Sequence, residues 1–184
     1  MKTRHNPRSV CVYCGSRFGT NPAYKTAATD LGEALAKTGL RLVYGAGDVG
    51  LMGTVANATQ AAGGETFGVI PVHLMDLEVG KRDLSAFVIT ENMHERKKVM
   101  FMNADVIVTL PGGAGSLDEF FEVLTWKQLG LHDKPVFLLN VEDYWAPLTE
   151  LITHQIDHGF ADSSLRELFE VVDSVDDLMK IIIP

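Results

Sequence analysis

Apolar runs of strand length alternate along the chain with stretches of helical periodicity. Ser9 to Tyr13 reads as a buried strand and Cys14 to Thr20 as a Gly- and Ser-containing loop. Asn21-Pro22 supplies a helix N-cap followed by proline at the first helical position, and Tyr24, Ala28, Leu31 and Leu35 recur at helical spacing to about Thr38. Gly39 stops that helix before a second strand, Leu40 to Tyr44. The glycine-rich segment Gly45 to Gly53 leads into an Ala-rich helix ending near Ala62, and Gly63-Gly64 turns the chain into a third strand, Thr66 to Ile70. The sum is a βαβαβ unit.

A longer loop with Pro71, His73, Gly80 and Lys81 comes next, then a short strand at Ala86 to Thr90. Asn92 with Glu95 three residues on predicts a capping box, opening a helix that carries Arg96, Lys97 and Lys98. Asp105 to Leu110 is the next buried strand, Pro111 to Ser116 a loop, and Ser116 to about Gln128 a helix with Leu117, Phe120, Phe121 and Leu124 on its core face. Pro135 to Leu139 is a strand, Tyr144 to His158 a helix, and Phe169 to Val172 leads to a last helix capped by Ser174. This alternation predicts an α/β fold: a single Rossmann-like, doubly wound and mostly parallel sheet with helices on both faces. One domain over residues 1–184, with a short tail at about 1–8, accommodates the length.

The composition, 46% hydrophobic and 22% charged, is that of an ordinary folded domain. Sixteen basic against twenty-four acidic side chains give a net charge of −8, which argues against nucleic acid or an anionic membrane as partner. No apolar run after the first residues is long enough for a signal peptide or membrane span, so the cytoplasm is expected. Cys11 and Cys14 form C-x-x-C, but they sit at the end of a strand where residues three apart point to opposite faces, so two buried free thiols are expected.

In a doubly wound sheet, ligands bind beyond the carboxyl ends of the strands. Three post-strand loops share that edge: Cys14-Gly15-Ser16, Gly45-Ala46-Gly47 through Gly53, and Pro111-Gly112-Gly113-Ala114-Gly115-Ser116. Glycine lets backbone N–H groups approach an anion, and the helix that follows adds unpaired N–H groups and a positive dipole end. One helix end contributes only roughly 0.3–1 kcal/mol, so convergence of loops is what makes a phosphate site; singly, each loop is equally readable as a tight turn. Gly45 to Gly50 matches G-x-G-x-x-G, yet it follows the second strand, and Glu65, about where an acidic ribose ligand belongs, falls at the wrong end of its strand, which argues against NAD. An ATP-type G-K-[ST] is absent as well.

Ser116 and Glu119 fit a capping box, which would leave Glu119 with no other role. Asp118, Glu119 and Glu122, however, cluster beside an anion-binding loop and off the core face, where so much negative charge needs another job or a cation. Arg96, with Met93 before it and Val99 and Met100 after, lies on a partly apolar helix face and is expected to point into the cleft, whereas Lys98 reads as solvated. His154 and His158 have metal-ligand spacing but lack the glutamate of H-E-x-x-H and lie outside the cleft; no metal is expected.

Met93-His94-Glu95-Arg96-Lys97 together with Leu110-Pro111-Gly112-Gly113-Ala114-Gly115-Ser116-Leu117-Asp118-Glu119 resembles the LONELY GUY (LOG) family of cytokinin riboside 5′-monophosphate phosphoribohydrolases. The similarity runs from Val10 to Ser16 through Tyr44 to Gly47 to the stretch Thr125 to Pro135. What the resemblance implies is release of an adenine-type base from a nucleoside 5′-monophosphate, without a cofactor, by Arg96 and Glu119 as catalytic pair. It further implies phosphate contacts at Gly112, Gly113, Gly115 and Ser116 and, commonly, a homodimer. Gly15, Ser16, Gly45, Gly47, Met93, Lys97 and Glu122 complete the expected substrate-binding set, Glu122 against the ribose hydroxyls. Ser116 stands where the family usually has threonine, Asp118 where a second glutamate is common, and Ala46 where a third glycine often sits. Proteins with this motif have also been labelled lysine decarboxylases, a reaction for which the sequence offers no pyridoxal phosphate site. The competing expectation is a non-catalytic nucleotide-binding or cofactor-carrier protein using the same loops.

Overall fold

The computed structural model describes residues 8–75 and 83–183; Gly80, Lys81 and most of the expected tail lie outside them. Seven strands form one sheet: β1 (Ser9–Tyr13), β2 (Arg41–Tyr44), β3 (Thr66–Pro71), β4 (Ala86–Thr90), β5 (Val106–Thr109), β6 (Val136–Leu139) and β7 (Glu170–Val172). Their order is β4-β3-β2-β1-β5-β6-β7, and every pairing is parallel. The expected α/β sheet is therefore present, with the order reversing at β1, where the chain leaves one half and later returns beside it as β5. That reversal opens a crevice above the β1–β5 seam.

Among the described residues six α-helices cover the sheet: α1 (Pro22–Lys37), α2 (Gly50–Ala61), α3 (Met93–Met102), α4 (Ala114–Gln128), α5 (Ala146–Asp157) and α6 (Val175–Ile182). Side-chain alternation along each strand sorts the core into two layers. On one face Val10, Val12 and Cys14 pack with Leu31 and Leu35 of α1, Val55 of α2 and Leu178 of α6. On the other Cys11 and Tyr13 pack with Met100 of α3, Phe120 and Leu124 of α4 and Ile152 of α5. Cys11 and Cys14 thus lie on opposite faces, both free and buried, as strand geometry requires.

The local signals at the helix starts are mostly realised. Asn21 Oδ1 accepts from the Ala23 N–H at 2.9 Å and Ser174 Oγ from the Asp177 N–H at 3.1 Å. Asn92 Oδ1 accepts from the Glu95 N–H at 3.0 Å, but Glu95 reaches back to the Glu91 N–H, one residue before the expected partner. The helix expected from Ser116 begins two residues earlier. Gly113 is its N-cap, Ser116 is buried in the first turn, and the Ser116–Glu119 capping box does not form. The helix expected from Tyr144 starts at Ala146, and Tyr144 instead closes a short 3-10 turn, Val141–Asp143.

Candidate active site

The loops after β1 and β5 are stitched together over the seam. The Gly15 N–H donates to the Pro111 carbonyl at 3.0 Å, and the Gly15 carbonyl accepts from the Leu51 N–H of α2 at 3.0 Å. Gly112 permits this closeness, since a Cβ there would collide with Ser116 Oγ and lie 2.9 Å from the Gly15 nitrogen. Gly113 and Gly115 differ: a Cβ on either would meet nothing within 4 Å. Neither has a left-handed φ, so neither crowding nor φ demands glycine there, and the space over the α4 N-terminus is open to a guest. The unpaired N–H groups of the first turn of α4 face that end of the helix, a natural anion seat.

Above this loop lies a cleft of about 500 Å³. Gly15, Ser16, Met93, Arg96, Gly112, Gly113, Gly115, Ser116 and Glu119, nine of the expected site residues, line it. Gly45, Gly47, Lys97 and Glu122 are not among its walls. A second depression, of about 580 Å³, lies beside α1 and α2 against Thr29, Glu33, Thr54 and Asn57 and contains none of the expected site residues.

Arg96 is 4% exposed, and a carbonyl within β3 and one just past β2 fix its guanidinium: Nε donates to Val69 at 3.1 Å and a terminal nitrogen to Gly45 at 2.6 Å. Gly45 therefore serves the arginine, since a Cβ at this position would strike the guanidinium. Glu119, on α4, also lines the cleft. Burial pushes the Cys14 thiol far up, the Glu119 charge adds to that and Arg96 partly offsets it, so Cys14 lies within the field of both groups. Burial likewise raises Cys11 and Tyr13, and in each the Glu119 charge adds to the shift.

Lys97 does not face the cleft. It is 5% exposed, and its ammonium contacts Asp118 and Glu122 of α4 at 2.9 Å each. Burial alone lowers the Lys97 pKa, but hydrogen bonds to Asp118 and Glu122 outweigh it and leave the pKa raised. The crowd of carboxylates at the start of α4 thus has its cation. Lys98 and His154 are exposed as expected, with the His154 and His158 rings tilted by 41° and their centroids 4.0 Å apart. Among the described residues no group of three or more His, Cys, Asp or Glu side chains could hold a metal ion, and no helix is long and apolar enough to cross a membrane.

The sequence reading missed several walls of the cleft. Leu51, Met52 and Leu74 add apolar walls to it, and Tyr24 and Tyr144 line it as well. Tyr144 donates its hydroxyl to the Gly112 carbonyl at 2.6 Å.

A probable cytokinin riboside 5′-monophosphate phosphoribohydrolase LOG4 of Oryza sativa subsp. japonica is 42% identical over 172 residues, spanning 94% of this chain and 75% of its own. The cytokinin riboside 5′-monophosphate phosphoribohydrolase LOG5 of Arabidopsis thaliana is 43% identical over 173 residues, spanning 94% and 76%. The chain belongs to the LOG family. A family model described as "Possible lysine decarboxylase" also matches residues 52–182 of this LOG-family chain. The site does not fit amino-acid decarboxylation on pyridoxal phosphate, which needs a lysine amine facing the cavity. Among the described residues no lysine lines the cleft, and buried Lys97 is held by two carboxylates.

Solved structures extend the likeness in fold. The molybdenum cofactor carrier protein of Chlamydomonas reinhardtii superposes with a TM-score of 0.68 at 22% identity over 95% of the LOG-family chain and 94% of its own. The molybdenum cofactor binding protein of Rippkaea orientalis gives 0.70 at 19% identity, over 98% and 97%. At these identities the fold alone is shared.

Proposed function

We propose that the chain hydrolyses the N-glycosidic bond of a nucleoside 5′-monophosphate with an adenine-type base, a cytokinin riboside 5′-monophosphate or AMP, releasing the base and ribose 5-phosphate. The observation that carries this reading is the meeting of Glu119 and Arg96 in one cleft with the open Gly113–Ser116 helix end. The 5′-phosphate sits on the α4 N-terminus, and the ribose extends past Ser116 toward Glu119. As the C1′–N9 bond breaks, its electron pair leaves with the base and positive charge builds on the ribose. A carboxylate at that ring stabilises the charge and takes a proton from the water whose oxygen bonds to C1′; that proton then passes through solvent to the departing base, which leaves neutral and restores the carboxylate. Arg96, anchored on two carbonyls, places a fixed positive charge beside the substrate. The apolar wall of Leu51, Met52 and Leu74 suits the base.

Exposed Leu129, Leu131 and Phe160 support the homodimer as part of this proposal, to be measured by light scattering. The two free thiols fit a reducing compartment, the cytoplasm.

The deciding experiment is incubation with AMP and with isopentenyladenosine monophosphate, following free base and ribose 5-phosphate by chromatography. Release of both products from either nucleotide supports the hydrolase. The likeness to two molybdenum cofactor proteins favours one other reading, a nucleotide-binding or cofactor-carrier protein. Such a protein is stabilised by AMP and leaves it intact.

A further inference from the structure

The turn between β6 and α5 carries an unusual backbone that the hydrolysis mechanism does not use. Glu142 and Asp143, neither of them glycine, have φ of 53° and 56°, the left-handed region that such residues seldom occupy twice in succession. The turn is locked from below by Asn140, 9% exposed, whose Oδ1 accepts from the Trp145 N–H at 2.8 Å and whose Nδ2 donates to Asp143 at 3.0 Å. Between these two fixtures stands Tyr144. Its ring packs edge-on against Tyr24 at 5.4 Å and Trp145 at 4.8 Å, and its hydroxyl ends on the Gly112 carbonyl, 32 residues away in sequence.

A trans peptide sets C=O and the next N–H in opposite directions, and no described peptide bond is cis. Whatever holds the Gly112 carbonyl therefore aims the Gly113 N–H the other way. The preceding carbonyl, Pro111, is held in the same manner by the Gly15 N–H. Two consecutive peptide planes of a glycine loop that would otherwise swing freely are thus pinned by their oxygens, and among the described residues no acceptor takes the Gly112 or Gly113 N–H.

We infer that Tyr144 is a positioning residue for the phosphate seat: its hydroxyl fixes the Gly112–Gly113 peptide so that the Gly113 N–H is preset to donate to a 5′-phosphate. The inference rests on the reading of the α4 N-terminus as a phosphate site. Strain at Glu142 and Asp143 is the means by which the turn delivers the ring to that carbonyl. Tyr144→Phe keeps the ring, its packing against Tyr24 and the backbone, and removes only the holder of the peptide plane.

The test is calorimetric titration of the full chain with ribose 5-phosphate and with adenosine, which lacks the phosphate, alongside unliganded melting. The expected result is that Tyr144→Phe binds ribose 5-phosphate about tenfold more weakly, as befits one misaimed hydrogen bond to a charged group, with adenosine affinity and melting temperature unchanged. In steady-state hydrolysis of AMP the same variant raises KM and leaves kcat close to wild type. Equal ribose 5-phosphate affinity in the two proteins overturns the inference, as does an equal loss on both ligands, which would mark general damage to the cleft. If the wild-type protein binds no ribose 5-phosphate, the phosphate reading itself fails and takes this inference with it.

Discussion

Lys97 of α3 and Glu122 of α4 meet at 2.9 Å, and the same ammonium reaches Asp118 at 2.9 Å. The residue next to Lys97 is Arg96, and Glu119 lies between the two acids on α4. The ion triad therefore ties the helix bearing the arginine to the helix bearing the glutamate, and the relative placement of the proposed catalytic pair depends on it.

Replacing Lys97 with methionine is expected to lower unfolding free energy by about 2 kcal/mol, because half-buried Glu122 loses its counter-charge while exposed Asp118 adds little. Denaturant titration measures this, and kcat for AMP should fall with it. Because the Lys97 pKa is raised on folding, the triad's contribution is fully present below the ordinary lysine value and is lost as pH climbs through the raised one. The wild-type advantage over Lys97→Met should accordingly be flat around neutrality and shrink only in strong alkali.

At the acid end the sensitive group is Asp105. Burial opposes its ionisation, but it accepts from the Arg8 and Ser9 N–H groups at 2.8 and 3.0 Å and from Ser9 Oγ at 3.0 Å, and the net pKa is lowered. A carboxyl held down in this way stabilises the fold above its ordinary pKa, and that contribution disappears as pH falls through the depressed value. Asp105→Ala should cost about 2 kcal/mol at pH 7 and progressively less below the usual aspartate range, as read from melts across pH.

Two neighbouring glycines should respond in opposite ways to alanine. Gly112→Ala drives a methyl into Ser116 and the Gly15 backbone and is expected to destabilise the protein by about 1–3 kcal/mol. Gly113→Ala meets open space, so its melting curve should match wild type within about 0.5 kcal/mol. Its affinity for ribose 5-phosphate should nonetheless drop at least tenfold. Normal ligand binding by a stable Gly113→Ala protein would sink the proposed phosphate seat.

Glu119→Gln removes the charge and keeps the shape. A loss in kcat of about 10²–10⁴ with little change in KM is the expected signature of a group acting at the reacting carbon. Base release at wild-type rate would remove Glu119 from the mechanism.

Much of this architecture was legible in the chain, and its gaps have identifiable causes. Strands such as Val106–Thr109 are so continuously apolar that only a sheet buried on both faces can hold them, and the order of glycine loops placed the crevice. Ser116 was misread because S-x-x-E satisfies the capping pattern locally, while the helix actually starts on Gly113, where the loop's bonds to Gly15 decide the geometry. Lys97 reads as a substrate ligand from sequence because its partners stand 21 and 25 positions away on another helix, beyond the reach of any periodicity. Tyr144 beside Trp145 looks like core filling, and only the left-handed turn before it turns the hydroxyl toward Gly112.

Cys14 is a wall of the cleft, yet burial and the Glu119 carboxylate push its thiol pKa well up. Thiol oxidation and alkylation both proceed through the thiolate, so the centre carries a sulfur that is slow toward peroxide and maleimide. Cys11, on the opposite face, is raised by burial too and is not placed to join it in a disulfide. Within the cleft, the groups left open to oxidation are the thioethers of Met52 and Met93, whose sulfoxides form without any proton leaving and would make the cleft polar, while the exposed Met102 lies outside it. Recovery of oxidised protein would accordingly depend on methionine sulfoxide reductase, with no benefit from dithiol reductants.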